Sequence, residues 1–253
     1  MLIDSHCHLN SLSKIAREDV MSSSGSGYCF IDSSIDLNSS KLSLEISSQN
    51  DFVYSALGFH PFSLKTFSQE VLKEYEKLID TNKKIIAIGE IGLDYKANFS
   101  VENQEDVLSA FIELAKNRNL PIMIHNRWQD NKILDILDNF YSDYSKVVFH
   151  CFSSGPDFLA KIIERKGFVS FSLNILRKKQ EIIQSLVNCP NNNLLLETDS
   201  PYMRLAGKPS MPLDIVKTYK TAAEIKAISQ EELEREVSLN IGKLFPEIIK
   251  GKQ

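Results

Sequence analysis

Eight short apolar runs, rich in Val, Ile and Phe, recur along the chain at positions 2–4, 28–32, 52–57, 85–89, 121–124, 147–149, 168–171 and 194–197. Each is too brief for a helix and lacks the polar alternation that would leave one face to water, so each reads as a strand buried on both faces. The segments 65–83, 102–119, 128–141 and 156–166 between them carry apolar residues at i, i+3, i+4 and i+7, the spacing of amphipathic helices. Strands that alternate with helices run parallel, because the crossover brings the chain back to the same end of the sheet. Eight such units close a (β/α)8 barrel, and 253 residues is an ordinary length for one. An open doubly wound sheet competes with this reading, but no GxGxxG follows the first run. The expected fold is α/β, a TIM barrel forming a single domain over 1–253.

The connections add punctuation. The serine-rich stretch 22–27 reads as a loop, 80–84 as a short connection, and 229–245 as a closing helix with Ser229 and Glu232 forming a capping box. At 43% hydrophobic and 25% charged, with ten Gly and eight Pro, the chain is neither disordered, collagen-like nor a coiled coil. Cys7, Cys29, Cys151 and Cys189 are far apart with no CxxC pair, which argues against a disulfide framework or a thiolate zinc knuckle and fits a reducing cytosol. The start MLIDSHCHLN has no basic segment before an apolar core, and no apolar stretch approaches ~18 residues. A cytoplasmic protein with no membrane contact is expected. The net charge of −4 excludes a broadly basic nucleic-acid coat but not a local cationic site.

All five histidines, His6, His8, His60, His125 and His150, fall at or just past the C-terminal ends of these runs. In a barrel those ends share one face, where the following loops build the active site. Glu90 in IGEIGLDY and Asp199 in LLLETDSPY stand at the fourth and eighth ends by the same rule. His6 and His8, two apart on a strand, project from one face and can hold one ion jointly. An isolated HxH is as often a chance pair, and its place in this ring turns the reading toward metal. Glu90 alone would read as a solvated acid or ion-pair partner; amid His125 and His150 on neighbouring strands it is a carboxylate able to bridge two cations. Asp199 alone would cap the turn TDSP, whereas beside metals it is a candidate general base or a further ligand.

Two divalent ions bring +4 and the two carboxylates −2, leaving about +2 with neutral imidazoles, a balance that favours an anionic ester. Paired ions are a recurrent device for phosphodiester cleavage. Imidazole-rich ligation favours Zn, Mn or Fe over Mg, which prefers carboxylate and water. His60 in LGFHPF, without carboxylate neighbours, reads as a phosphate hydrogen-bond donor or as a packed histidine before Pro61. Arg127 is a phosphate contact or an ion-pair partner, and Trp128 stacks a base or packs a loop. Ser153 or Ser154 caps a helix after His150, whose amides can receive a phosphate oxygen. Asp4 and Glu197, each two residues before a proposed ligand, orient an imidazole, balance a cation or form an ordinary buried ion pair. Cys7 and Cys151 should face away from the metals as small core residues.

Taken together, these residues resemble the TatD family of metal-dependent DNases, within the amidohydrolase-like metallohydrolase superfamily. The segments DSHCHLN, LGFHP, IGEIGLDY, LPIMIHNR, FHCFSSG and LETDSPY carry the likeness in order from residue 4 to 202, and LNIGKLF is similar to the family's ending. The resemblance implies a (β/α)8 barrel with two divalent metal ions (Zn, Mn or Mg). It also implies hydrolysis of nucleic-acid phosphodiesters, often 3′ to 5′ from single-stranded DNA ends, by a monomer. By that match His6, His8 and Glu90 bind one ion, and Glu90, His125 and His150 the other. Asp199 is then the catalytic base and a ligand, while His60 and Arg127 serve the phosphate. Phe111, Trp128 and Ser210 depart from the family's usual pattern, which bears on substrate preference more than on chemistry. The competing functions are an amidohydrolase or aminoacyl-tRNA deacylase on the same barrel and a non-catalytic metal scaffold. Glu90 stands where many two-metal amidohydrolases place a bridging lysine, which favours the phosphodiesterase.

Overall fold

The computed structural model describes residues 1–128 and 130–250. The eight apolar runs are strands: β1 (Leu2–Cys7), β2 (Tyr28–Ser33), β3 (Val53–Leu57), β4 (Ile85–Asp94), β5 (Ile122–Arg127), β6 (Val147–Phe149), β7 (Phe168–Phe171) and β8 (Leu194–Leu196). Each pairs in parallel with the next, in sequence order. Helices α1 (Lys14–Ser24), α2 (Leu37–Gln49), α3 (Gln69–Thr81), α4 (Val101–Asn117), α5 (Asp130–Asp138), α6 (Pro156–Glu164) and α7 (Gln180–Asn188) fill the crossovers. A small hairpin, β9 (Arg204–Leu205) with β10 (Lys208–Pro209), precedes α8 (Ile215–Lys226), α9 (Gln230–Leu244) and α10 (Pro246–Lys250). The expected (β/α)8 architecture is present. Among the described residues no helix is long and apolar enough to cross a membrane.

The ring closes in an unusual way. Among the described residues no ladder pairs β8 with β1. Instead the Asp199 N–H donates to the His6 carbonyl at 3.0 Å and the His8 N–H to the Ser200 carbonyl at 2.8 Å. Thr198 adds its N–H at 2.9 Å and its hydroxyl at 2.6 Å to the carboxylate of Asp4, which is fully buried. Asp4 therefore joins the two ends of the sheet and touches no imidazole. Burial pushes its carboxyl well above the ordinary range, against the hydrogen bonds from Thr198.

Outside the strands, apolar helix faces pack onto the barrel. Phe111 of α4 lies 5.8 Å from Phe59 and 4.9 Å from Tyr75 of α3, ring centre to ring centre. All three rings are buried, at roughly 1.5–3 kcal/mol for an apolar side chain of that size. This explains the departure at Phe111: an aromatic cluster occupies the layer between β3, β4 and their helices.

Several boundaries differ from those expected. β1, β4 and β5 continue past 4, 89 and 124 because backbone pairing persists through the polar residues, with Gly92 opposite His125, Leu93 opposite Asn126 and Asp94 opposite Arg127. The stretch 22–27 is the end of α1 followed by a 3-10 turn, Gly25–Gly27, rather than a loop. α6 is capped by Gly155, not by Ser153 or Ser154; Ser154 donates instead to the Asp130 carboxylate at 3.2 Å. Of the expected Ser229–Glu232 capping box only one half is present: Ser229 caps α9 by accepting the Glu232 N–H at 3.1 Å.

Candidate metal centre

Two close backbone approaches make the site. At Gly92, with φ +153°, an added Cβ would lie 1.8 Å from the His125 carbonyl oxygen, and at Gly58 it would lie 2.0 Å from the Glu90 nitrogen. Only glycine lets the chain beyond β3 and the strand β5 close on β4 there. β4 can then run on to Asp94, and Glu90 and Asp94, four residues apart, face the same interior side.

Glu90 sits at the middle of five imidazoles. Its Oε1 lies 2.7 Å from His125 Nδ1, 2.9 Å from His150 Nε2 and 3.5 Å from His60 Nε2. Its Oε2 lies 3.6 Å from both His6 Nε2 and His8 Nε2. Asp199 approaches His8 Nε2 at 3.5 Å through Oδ1. Three overlapping groups bring donor atoms within 4.8 Å of one another: His6, Glu90 and His150; His6, His8 and Asp199; and His60, Glu90 and His125. Every one of these residues is buried. The structure thus brings together His6, His8, His60, Glu90, His125, His150 and Asp199, and His6 belongs to two of the groups.

The nitrogens facing away from the centre show which protons each ring carries. His8 Nδ1 lies 2.8 Å from the Ser33 carbonyl and can only donate to it, so Nε2 presents a lone pair inward. His6 Nδ1 is 3.1 Å from the Ser33 hydroxyl, which can donate to it or accept from it. On the other side His125 Nε2 meets Asp94 Oδ2 at 3.0 Å and His150 Nδ1 meets Glu197 Oε1 at 3.5 Å. The inner nitrogens of each pair lie 3.3 Å apart, and although burial acts downward on both rings, the Asp94 and Glu90 carboxylates raise the pKa of His125, and Glu90 with Glu197 raises that of His150. Nitrogens crowded this closely around one carboxylate call for positive charge between them, which ring protons supply and a bound cation would supply in their place. Four imidazoles around a carboxylate, with His8 and His125 fixed by outer oxygen acceptors and the buried His150 Nδ1 left without a hydrogen-bond partner, are a donor set that fits transition metals.

His60 is different. Its Nδ1 accepts the Phe62 N–H at 3.1 Å, so the neutral ring carries its proton on Nε2, the nitrogen that faces Glu90. That makes His60 a donor rather than a lone-pair ligand. Burial lowers its pKa to about 4, keeping it neutral near pH 7. Burial, with His150 alongside, likewise lowers His6 to about 3. Burial alone would raise Glu90, but the surrounding imidazoles, His150 foremost, override it and hold the carboxyl well below its usual range. For Asp199 burial also acts upward and the His8 contact outweighs it, leaving a lowered pKa.

The cluster lies at the end of a cavity of about 530 Å3 at the C-terminal mouth of the barrel. Arg127 lines it, half-exposed, with its guanidinium 3.8 Å from Asp94. Trp128 packs against the core and is not among the lining residues. Cys151, expected to face away, does line the cavity: φ +46° turns it there, its thiol 3.2 Å from the Ser172 hydroxyl while its N–H donates to Glu197 at 2.8 Å. Cys7 is buried in the core as expected, its thiol directed at the Ile31 carbonyl. The acid that sequence reasoning missed is Asp94. Its signal is in the sequence, since two acids four apart on one strand share a face, but the apolar run by itself places the strand end at 89, before Asp94.

A family model described as TatD related DNase matches residues 3–246. The chain is 30% identical over 247 residues to an uncharacterized metal-dependent hydrolase of Methanocaldococcus jannaschii, covering 96% of each. It is 31% identical over 214 residues to human deoxyribonuclease TATDN3, covering 79% of this chain and 76% of that protein. Its fold is similar to the crystal structure of a TatD homologue from Escherichia coli, with a TM-score of 0.86 at 24% identity over 97% of this chain and 98% of that one. A match that runs through every strand end carrying an imidazole or carboxylate of the cluster leaves one assignment: the chain belongs to the TatD family of metal-dependent hydrolases.

Proposed function

We propose that this protein is a two-metal phosphodiesterase that cleaves DNA, working 3′ to 5′ from single-stranded ends. The observation that carries this reading is the division of Glu90: one oxygen faces His125 and His150, the other His6 and His8. A carboxylate so placed joins two cation sites, and paired cations suit in-line displacement at phosphorus. Divalent ions, with Zn, Mn and Mg the candidates, supply Lewis acidity to the phosphoryl group and acidity to the attacking water.

The chain's own groups do the rest. Asp199, ionised and beside His8, is the acceptor for the water's proton and completes the donor set of His6 and His8. His60 Nε2–H, neutral and buried, donates to a non-bridging phosphate oxygen. Arg127, half-exposed at the wall, pairs with the phosphate as it does with Asp94. The name of the human relative, a deoxyribonuclease, supports DNA as the substrate.

Four substrates assayed in parallel on metal-reconstituted protein test this reading: single-stranded DNA, duplex DNA, bis(p-nitrophenyl) phosphate and a D-aminoacyl-tRNA. Single-stranded DNA and the small diester should be hydrolysed, and Asp199→Asn should keep its fold while losing ~10²–10⁴-fold in turnover. Cleavage of the aminoacyl ester alone would replace the proposal with a deacylase.

A further inference from the structure

The basic side chains at the cavity mouth are not all accounted for by one phosphate. Arg177 and Lys179, between β7 and α7, both line the wall, because Lys178 between them turns through a left-handed conformation at φ +51°. Among the described residues none of the three is in an ion pair, and Arg177 hydrogen-bonds only the Met203 thioether, a weak acceptor, at 3.9 Å. In a chain of net charge −4, a pair of basic side chains without ion-pair partners at a cavity mouth is a local attractor for an anion.

Three further observations point at the same wall. Lys179 is the N-cap of α7, no side chain caps that helix, and its first turn reaches the cavity at Ile182, so the first-turn amides add to the positive field. Asn174, 4% exposed, lines the cavity beside them, and its Oδ1 has no hydrogen-bond partner. Two large rings at the mouth are left open to solvent: Phe62 after β3 and Tyr202 after β8, each 53% exposed. In a ring of eight, β3 stands opposite β7, so Phe62 faces the basic wall from across the opening.

We infer a second subsite, for the phosphate adjoining the scissile one in a single-stranded polynucleotide. Arg177 and Lys179 hold that phosphate, Asn174 Oδ1 accepts a hydrogen bond from a sugar hydroxyl or base amino group, and Phe62 and Tyr202 stack unpaired bases. Stacking on open rings is tolerant of base identity, and it requires bases released from a duplex. The inference rests on the phosphodiesterase reading and adds to it a second phosphate contact, so that the substrate spans at least two linkages.

The test compares a single-stranded oligonucleotide with bis(p-nitrophenyl) phosphate, which has no second phosphate, on metal-loaded wild type and on Arg177→Gln/Lys179→Gln. KM for the oligonucleotide should rise with kcat little changed, and the ratio of kcat/KM between oligonucleotide and small diester should fall at least about 10-fold. Losing the contacts to one phosphate should also reduce the salt slope of log KM by about 0.7. Phe62→Ala should raise the oligonucleotide KM by about 5- to 150-fold. An unchanged ratio in the double variant overturns the subsite, whether both activities fall together or neither does. If wild type cleaves neither substrate, the phosphodiesterase reading fails separately. Anisotropy of a labelled oligonucleotide then still decides the subsite, which is upheld if the double variant loses binding and overturned if it binds equally.

Discussion

At the scale of single residues, the centre depends on which nitrogen of each imidazole keeps its proton. Asp94 accepts from His125 and thereby leaves Nδ1 bare toward Glu90. Asp94 Oδ1 also accepts the Lys96 N–H at 2.8 Å, so in Asp94→Asn the amide oxygen keeps that bond and the NH2 faces Nε2, which must then accept, moving the ring proton to Nδ1, the nitrogen that faces Glu90. That variant should fold normally but lose ~10- to 100-fold in affinity for one metal equivalent, as read by competition with a chromogenic chelator. Undiminished affinity for both equivalents would show that Asp94 only anchors Arg127. The histidines were legible in the sequence because a polar ring at the end of an apolar run has few structural reasons to be there. Asp94 and the proton positions were not legible, because they depend on where β4 stops and on what each ring's far side touches. For Trp128 the sequence leaves stacking on a base and packing a loop both open, and its packing against the core, away from the cavity lining, favours the second.

At the scale of elements, β4 is the strand whose neighbours approach most closely. Gly92→Ala would drive a methyl into the His125 carbonyl, so β4 and β5 would have to separate and the imidazole of His125 would shift with its backbone. Gly207→Ala is the control, at φ +80° with nothing within 4 Å. Gly207→Ala should cost about 1 kcal/mol through backbone conformation alone. Gly92→Ala should exceed 3 kcal/mol or yield no folded protein, with melting and near-ultraviolet circular dichroism as the measurements. A Gly92 variant no less stable than the Gly207 variant would mean that the strands can part cheaply. Four crossover helices were plain from their apolar spacing, yet α2 was not, because it buries serines where a reader expects leucines. Ser40, Ser43 and Ser47 are all buried. Ser43 bonds Ser55 at 2.9 Å, Ser47 bonds Ser55 at 2.9 Å, and Ser40 bonds the Tyr75 hydroxyl at 3.0 Å. Small hydroxyls that satisfy one another across a helix–strand contact pack tightly but leave no hydrophobic period in the sequence. The barrel was therefore legible from its strands, while part of its outer layer was not.

At the scale of the whole molecule, β1 and β8 meet through the residues that also surround the metal cluster. His6 and His8 receive and give backbone hydrogen bonds across this junction, and Asp199 lies on its far side within 3.5 Å of His8. Any cation bound by His6, His8 and Asp199 therefore ties one end of the chain's sheet to the other. At free metal about 100 times its Kd the added stability is ~2.7 kcal/mol. For a chain of this size that is about 5–11 °C of melting temperature at roughly 2–4 °C per kcal/mol. Chelation should lower the transition by that amount, and the Arg177→Gln/Lys179→Gln variant should respond as wild type does. Without metal, the amides of Asp199 and His8 should be the first in the barrel to exchange with deuterium, with those of β2 to β5 last. Metal should erase that gradient, and uniform exchange in both states would remove the link. The junction works as a latch rather than a weld: two backbone hydrogen bonds and the Asp4 carboxylate hold one stave of the barrel and a bound cation would fasten it a second time, so a protein stripped of metal should loosen along the same line where it loses its activity.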